Sequence, residues 1–337
     1  NHFCGVNMKR LMKMTSVAQI NPYKSIDSIV LDVKEMDDSI KLLGVKNVKQ
    51  VNQQFIQSLE QTHKYQHHTL DKSSFGGRAI DLQLINPITG RYMTGSSSGT
   101  AINVFLGIND IGIGVDGGGS VLAPAMSLNL FGFVSPLIDS EYMSKFKKVS
   151  TDGIEFRPSI GYMSFDFETV YEIINDTIDL TYTDSDIHVW VSDQDKTDYP
   201  FETKKIEMMD TLSNRDPLIH YLKETLVHCD MIISNEGPID LFGFGDTVFG
   251  HFDETTQDIQ RQSLKGYCRV VNMANATAIC IPQKSLAKAF LLISESKSEK
   301  ISKLLSVAKQ LISDKDELIE RYFRNLDLYF EAKYHNQ

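Results

Sequence analysis

Between Gly95 and Pro124 the chain reads GSSSGTAINVFLGINDIGIGVDGGGSVLAP, and no other stretch limits its architecture so tightly. Two polar, glycine-rich loops bracket the run AINVFLGINDIGIGV, which is too rich in Val, Ile, Leu and Phe to be a linker. That run reads as a helix followed by a buried strand, so both loops are anchored to core elements. Gly117, Gly118 and Gly119 stand directly before Ser120 and permit backbone conformations that side chains forbid. Several amides can therefore point into one small space. Such a turn suits an oxyanion hole built from the N–H groups of Gly117, Gly118, Gly119 and Ser120, aimed at the charge that develops when a carbonyl is attacked. A serine hydroxyl is a weak nucleophile until a base takes its proton, and Ser96 can relay that proton to a lysine. Glycine-serine loops also serve as flexible linkers. Here the apolar flanks argue against that, no GxGxxG follows a strand, and no GxxxxGK(S/T) occurs.

The segment resembles the core of the amidase signature family, in which a Gly-Ser-Ser-Gly-rich loop is followed by Gly-Thr-Asp-x-Gly-Gly-Ser. On that pattern Ser96 falls on the bridging serine and Ser120 on the nucleophile, and their separation, 120 minus 96 or 24 residues, is the family's own spacing. The resemblance implies a Ser-cisSer-Lys triad, with Ser97 and Asp116 in supporting roles and a cis peptide bond between Ser96 and Ser97. It implies that Asp116 fixes the glycine turn by hydrogen bonding. Two positions depart from the pattern: Leu122 stands where the family usually has Arg, and Val115 where it has Thr.

The family's base is a lysine at the end of a buried strand, in a pattern close to Val-Lys-Asp, and SIVLDVKEMDD puts Val33, Lys34 and Glu35 on it. Ile29 to Val33 read as a short strand of aliphatic residues, so Lys34 emerges at its end as the candidate base. Burial there lowers a lysine pKa, as a neutral base requires. Lys24 and Lys41 compete with it. Lys24 lacks a preceding apolar strand, and Lys41 sits in an amphipathic stretch where a solvated lysine is expected. The separation from Lys34 to Ser96, 96 minus 34 or 62 residues, is shorter than the family's, which implies a deletion.

Weaker similarity runs on through INPITGRYMTGSSSG, with Asn86, Pro87 and Arg91, then CDMIISNEGPI, VVNMANATAICIP and FLLISES, to a closing helix in KISKLLSVAKQLISDKDELIERYF. The segment from Ser135 to Asp210 does not align. The implied fold is α/β, a central mixed sheet covered by helices on both faces, in one domain over residues 1–337. The implied function is cleavage of a carboxamide C–N bond in a small-molecule amide through a serine acyl-enzyme, with no cofactor and no metal. Two alternatives stay open: an amide-forming acyltransferase in a biosynthetic complex, and a catalytically degenerate subunit acting as a scaffold. Each is compatible with a homodimer or a complex partner.

Composition limits the partners. A net charge of −10 argues against a nucleic-acid groove, which relies on clustered Lys and Arg. No apolar run approaches the roughly 20 residues that span a bilayer. The N-terminal NHFCGVNMKRLMKM has basic residues but no continuous apolar region, so it does not read as a secretory signal. Cys4, Cys229, Cys268 and Cys280 are dispersed without a CxxC and read as reduced thiols of a cytoplasmic protein. His63 and His67 read as sharing one polar helix face, with no Glu or Cys nearby to complete a zinc set. TYTDSDIHVWVSDQDKTDYP reads as a strand centred on Ile187 to Val191 rather than a calcium loop.

Overall fold

The computed structural model describes residues 4–30 and 40–325. In chain order its strands are β1 (Ile26–Ile29), β2 (Lys41–Lys46), β3 (Tyr65–Asp71), β4 (Ile80–Ile85), β5 (Tyr92–Thr94), β6 (Ile111–Asp116), β7 (Phe131–Val134) and β8 (Lys148–Val149). They continue with β9 (Glu155–Phe156), β10 (Ser159–Ser164), β11 (Val189–Ser192), β12 (Lys204–Ile206), β13 (Met231–Glu236), β14 (Ala276–Pro282) and β15 (Ala289–Glu295). Two short ribbons, β4 with β5 and β8 with β9, stand apart from an eleven-stranded sheet ordered β1-β3-β2-β6-β10-β7-β14-β15-β13-β11-β12. The sheet is mixed. Strand β2 runs parallel to both β3 and β6, and β11 parallel to β12 and β13, while the other pairings are antiparallel.

The helices are α1 (Cys4–Ile20), α2 (Gln53–Gln61), α3 (Ser98–Phe105), α4 (Leu122–Ser127), α5 (Ser140–Met143), α6 (Phe167–Thr177), α7 (Arg215–Leu226), α8 (Glu254–Arg261), α9 (Ser298–Gln310) and α10 (Glu317–Phe323). One face of the sheet packs against α3, α4 and α7, the other against α2, α6 and α9. Central strands are therefore buried on both sides and lose the alternation that marks a half-exposed strand. In β14, Ala278 and Cys280 join the core of α4, and Ile279 and Ile281 join the core of α9. The expected α/β class and the sheet covered on both faces are what the structure shows. Cys229, Cys268 and Cys280 are buried free thiols. Among the described residues no helix is long and apolar enough to cross a membrane.

Helix α3, SGTAINVF, is buried along its whole length. It can sit this close to the sheet because β6 offers bare backbone. A Cβ on Gly112 would lie 2.5 Å from Thr100 Cγ2 and 3.0 Å from Val104 Cγ2.

Several local expectations need correction. His67 and His68 are neighbours in β3, not part of a helix, and His63 takes a left-handed φ of 59° in the turn after α2. The His68 ring bonds Asn109 Oδ1 at 2.8 Å and Thr15 Oγ1 at 3.0 Å, so its role is buried polar packing. Strand β1 covers Ile26–Ile29 instead of starting at Ile29; Val30 lies just past its end, and positions 31–33 of the expected strand lie outside the described residues. The strand expected around Ile187 begins at Val189, because the amide of His188 is tied to Asp230 Oδ2 at 2.8 Å. The single closing helix is two, α9 and α10. The polar Ser313-Asp314-Lys315 stretch interrupts it, and Asp316 caps α10 through the Leu318 amide at 2.8 Å.

Gly112→Ala should destabilise the fold by about 1–3 kcal/mol, the usual cost of overpacking a close contact. A urea-unfolding midpoint unchanged from wild type would contradict the close seating of α3 on β6.

Candidate active site

The serine loop joins β5 to α3 and is held by backbone bonds. The Gly95 amide donates to the Ala79 carbonyl at 2.9 Å, and the Ser74 amide to the Ser96 carbonyl at 3.1 Å. Ser98 Oγ donates to Asp81 Oδ2 at 2.5 Å. The cis peptide bond lies between Gly95 and Ser96, one residue earlier than the Ser96–Ser97 bond expected from the resemblance. The two loops meet where the Ser97 amide donates to the Ser120 carbonyl at 3.1 Å. Ser97 Oγ is buried without a hydrogen-bond partner among the described residues. It faces β6, where a Cβ on Gly114 would come within 2.7 Å of it.

The glycine turn hangs on one carboxylate. Asp116 Oδ1 accepts from the Gly119 amide at 2.9 Å, and Oδ2 from the amides of Val121 at 2.7 Å and Leu122 at 3.3 Å. Burial raises the Asp116 pKa, and those amide bonds together with Lys46 oppose the rise. Gly119 has φ +98°, a conformation that L side chains rarely adopt. Its N–H is thereby committed to Asp116, which removes Gly119 from the expected oxyanion donors. The amides of Gly117, Gly118 and Ser120 have no hydrogen-bond partner among the described residues. Leu122, where the family pattern has Arg, is buried in the core beside α3, and Val115 is buried in the core of the opposite face. Leu122 is fully buried, whereas Val115 also borders the cleft.

Lys34 lies outside the described residues. The amine beside Ser96 belongs to Lys46, which sequence reasoning did not weigh. Lys46 ends β2 with 4% of its surface exposed, and its Nζ donates to Ser96 Oγ at 2.6 Å and reaches the Val115 carbonyl at 3.5 Å. Burial first, then the neighbouring Lys148 cation, lowers its pKa from 10.5 to about 7, against the pull of Asp116. Of the competitors, Lys41 opens β2 at its far end, and Lys24 lies in a turn with φ 54°. A signal for Lys46 was present. Lys-Leu-Leu-Gly-Val-Lys carries a Val-Lys step at the end of an apolar run, as does the sequence around Lys34.

Lys46, Ser96, Ser120, Gly117 and Gly118 line one cleft of about 550 Å³. The arrangement brings a buried, readily neutralised amine, two hydroxyls and a set of unpaired amides into one space. Among the described residues no group of three His, Cys, Asp or Glu side chains is gathered to hold a metal ion.

No protein-family model matches the sequence. No curated protein matches it either. Solved structures do match the fold. A subunit of the glutamyl-tRNA(Gln) amidotransferase from Thermotoga maritima superposes with a TM-score of 0.63 at 12% identity, over 92% of this chain and 94% of that one. An allophanate hydrolase from Kluyveromyces lactis gives 0.60 at 11% identity, over 92% of this chain and 70% of that one. A 6-aminohexanoate cyclic dimer hydrolase gives 0.58 at 12% identity, over 89% and 92%. These are amidase signature family members, and the chain has the amidase signature fold.

The lowered Lys46 pKa ties folding to pH. Between about 7 and 10.5 the unfolded chain holds a proton on this amine that the folded chain has released, so stability rises with pH across that window. The deficit of wild type relative to Lys46→Met should therefore shrink from pH 7 to pH 10 in urea unfolding. A pH-independent difference would contradict a neutral buried amine.

Proposed function

We propose that the chain cleaves carboxamide C–N bonds through a serine acyl-enzyme, with Ser120 as nucleophile, Ser96 as the bridging hydroxyl and Lys46 as the base. The observation that carries this reading is the 2.6 Å bond between Lys46 Nζ and Ser96 Oγ, in the cleft that Ser120 lines. The amidases and amide hydrolases among the structures with this fold support the same reaction class.

The steps follow from the proton positions. Above pH 7 the Lys46 amine is neutral, and its lone pair accepts the Ser96 proton while Ser96 Oγ accepts the Ser120 proton. Ser120 Oγ then bonds to the amide carbon. The carbonyl electron pair moves to oxygen, which the amides of Gly117, Gly118 and Ser120 stabilise. Loss of one such donor typically costs about a hundredfold to a thousandfold. Lys46 returns its proton through Ser96 to the amide nitrogen, the C–N bond breaks, and the amine leaves an ester on Ser120. Water gives a proton up the same relay, attacks the ester and releases the acid as Ser120 is reprotonated. Asp116 takes no proton in this sequence; it keeps the turn in shape.

Ser120→Ala should abolish labelling by a fluorophosphonate probe and lower amide turnover by at least about a thousandfold, the scale for a nucleophile in such a triad. Peptide mapping of the labelled wild type should find the adduct on Ser120. An adduct on another serine, or labelling retained in Ser120→Ala, would overturn the assignment.

A further inference from the structure

The cleft continues past Gly118 into a second cavity of about 650 Å³, and the two share Ala79, Gly118, Arg215 and Thr247 in their walls. Arg215 stands at the junction. Its Nε and Nη2 are pinned by Asp152 at 2.8 and 2.6 Å, and only a tenth of its side chain is exposed. Partial burial pushes the Asp152 carboxyl up, and the Arg215 and Ser150 bonds outweigh it, so the carboxyl stays below its ordinary range and charged. The third nitrogen, Nη1, has no hydrogen-bond partner among the described residues. It approaches the oxyanion turn so closely that a Cβ on Gly118 would lie 3.0 Å from it. A guanidinium held by one edge presents its other N–H groups in a fixed fork, the geometry that matches a carboxylate.

The second cavity is lined by the cations Arg215, Arg261, Lys265 and Arg269 and the carboxylates Asp152 and Asp216. Arg269 lines the second cavity, and its Nε and Nη2 donate only to the carbonyls of Gly266, Thr211 and Ser213, so no carboxylate pairs with it directly. Asp246, the carboxylate bordering the first cavity, is taken by Arg78 at 3.0 Å. The second cavity is lined by neither Lys46, Ser96 nor Ser120, so it lies beyond Gly118 from the proton relay. The departing amine must face Ser96 to receive its proton. The acyl chain is then left the Gly118 side of the cleft, where Arg215 stands.

We infer that Arg215 is a specificity residue that binds a carboxylate on the acyl side of the substrate, making monoamides of dicarboxylic acids the preferred class. This rests on the acyl-enzyme reading above. The test compares succinyl p-nitroanilide with its methyl ester, which differ only in that carboxylate. Wild type should favour the acid in kcat/KM, and Arg215→Met should lower the acid-to-ester ratio at least tenfold, with partial recovery in Arg215→Lys. Succinamate binding to Ser120→Ala by calorimetry should weaken at least tenfold when Arg215→Met is added. Thermal melts, and the double variant Arg215→Met/Asp152→Asn, separate loss of binding from loss of folding. An unchanged ratio alongside normal fluorophosphonate labelling overturns this inference and leaves the acyl-enzyme reading intact. Absence of labelling and turnover overturns that reading, and the calorimetry then decides the carboxylate site alone: Arg215-dependent binding supports it, and binding indifferent to Arg215 rejects it.

Discussion

The Asp116 carboxylate, buried at the end of β6 and accepting the amides of Gly119, Val121 and Leu122, is the constraint on which the cleft depends. A carboxylate in that position costs desolvation, and three N–H donors offset much of it. What the arrangement secures is geometry. The chain leaves a central strand, reverses through Gly119 at φ +98°, and enters α4 with Ser120 at the rim of the cleft. Because β6 is flanked by β2 and β10 and covered on both faces, the turn inherits the rigidity of the core. The neighbouring strand β2, in register with β6 through Val45 and Ile113, delivers Lys46 to the same end of the sheet.

The site is built by burying a cation deliberately. An ammonium in the interior is penalised until it loses its proton, and the Lys148 charge adds to that penalty. The same burial that would destabilise a structural lysine lets this amine lose its proton near neutral pH. Arg215 shows the opposite solution. Two bonds to Asp152 hold one edge of its guanidinium and leave the other edge unused.

The serine loops were legible in the sequence because their chemistry is local: consecutive serines, consecutive glycines and the apolar run between them lie within thirty residues. The sheet covered on both faces was expected from the resemblance those loops carry, not from the apolar runs themselves. The base was not legible in the same way. Lys46 reaches Ser96 across 50 residues of chain, and its selection over other lysines depends on β2 lying between β3 and β6. Leu42, Leu43 and Val45 are buried in that strand, so the segment lacks the alternation that would have marked it as a strand. The Gly119 amide could not be excluded as an oxyanion donor without knowing that Asp116 folds back onto it. His63 and His67 misled because a spacing of four suits a helix face, whereas the chain turns at His63 and has already entered β3 at His67.

The rate at which a fluorophosphonate phosphonylates Ser120 with loss of fluoride, followed from pH 5 to pH 10, tests the central claim most directly, since it reads the proton relay without needing the natural substrate. A rising limb with its midpoint near 7 is expected in wild type, where the Lys46 amine becomes neutral. That limb should be lost in Lys46→Met, and its midpoint should move to higher pH in Lys148→Met, because removing the neighbouring cation makes the charged lysine easier to keep. A limb that survives intact in Lys46→Met would contradict the account.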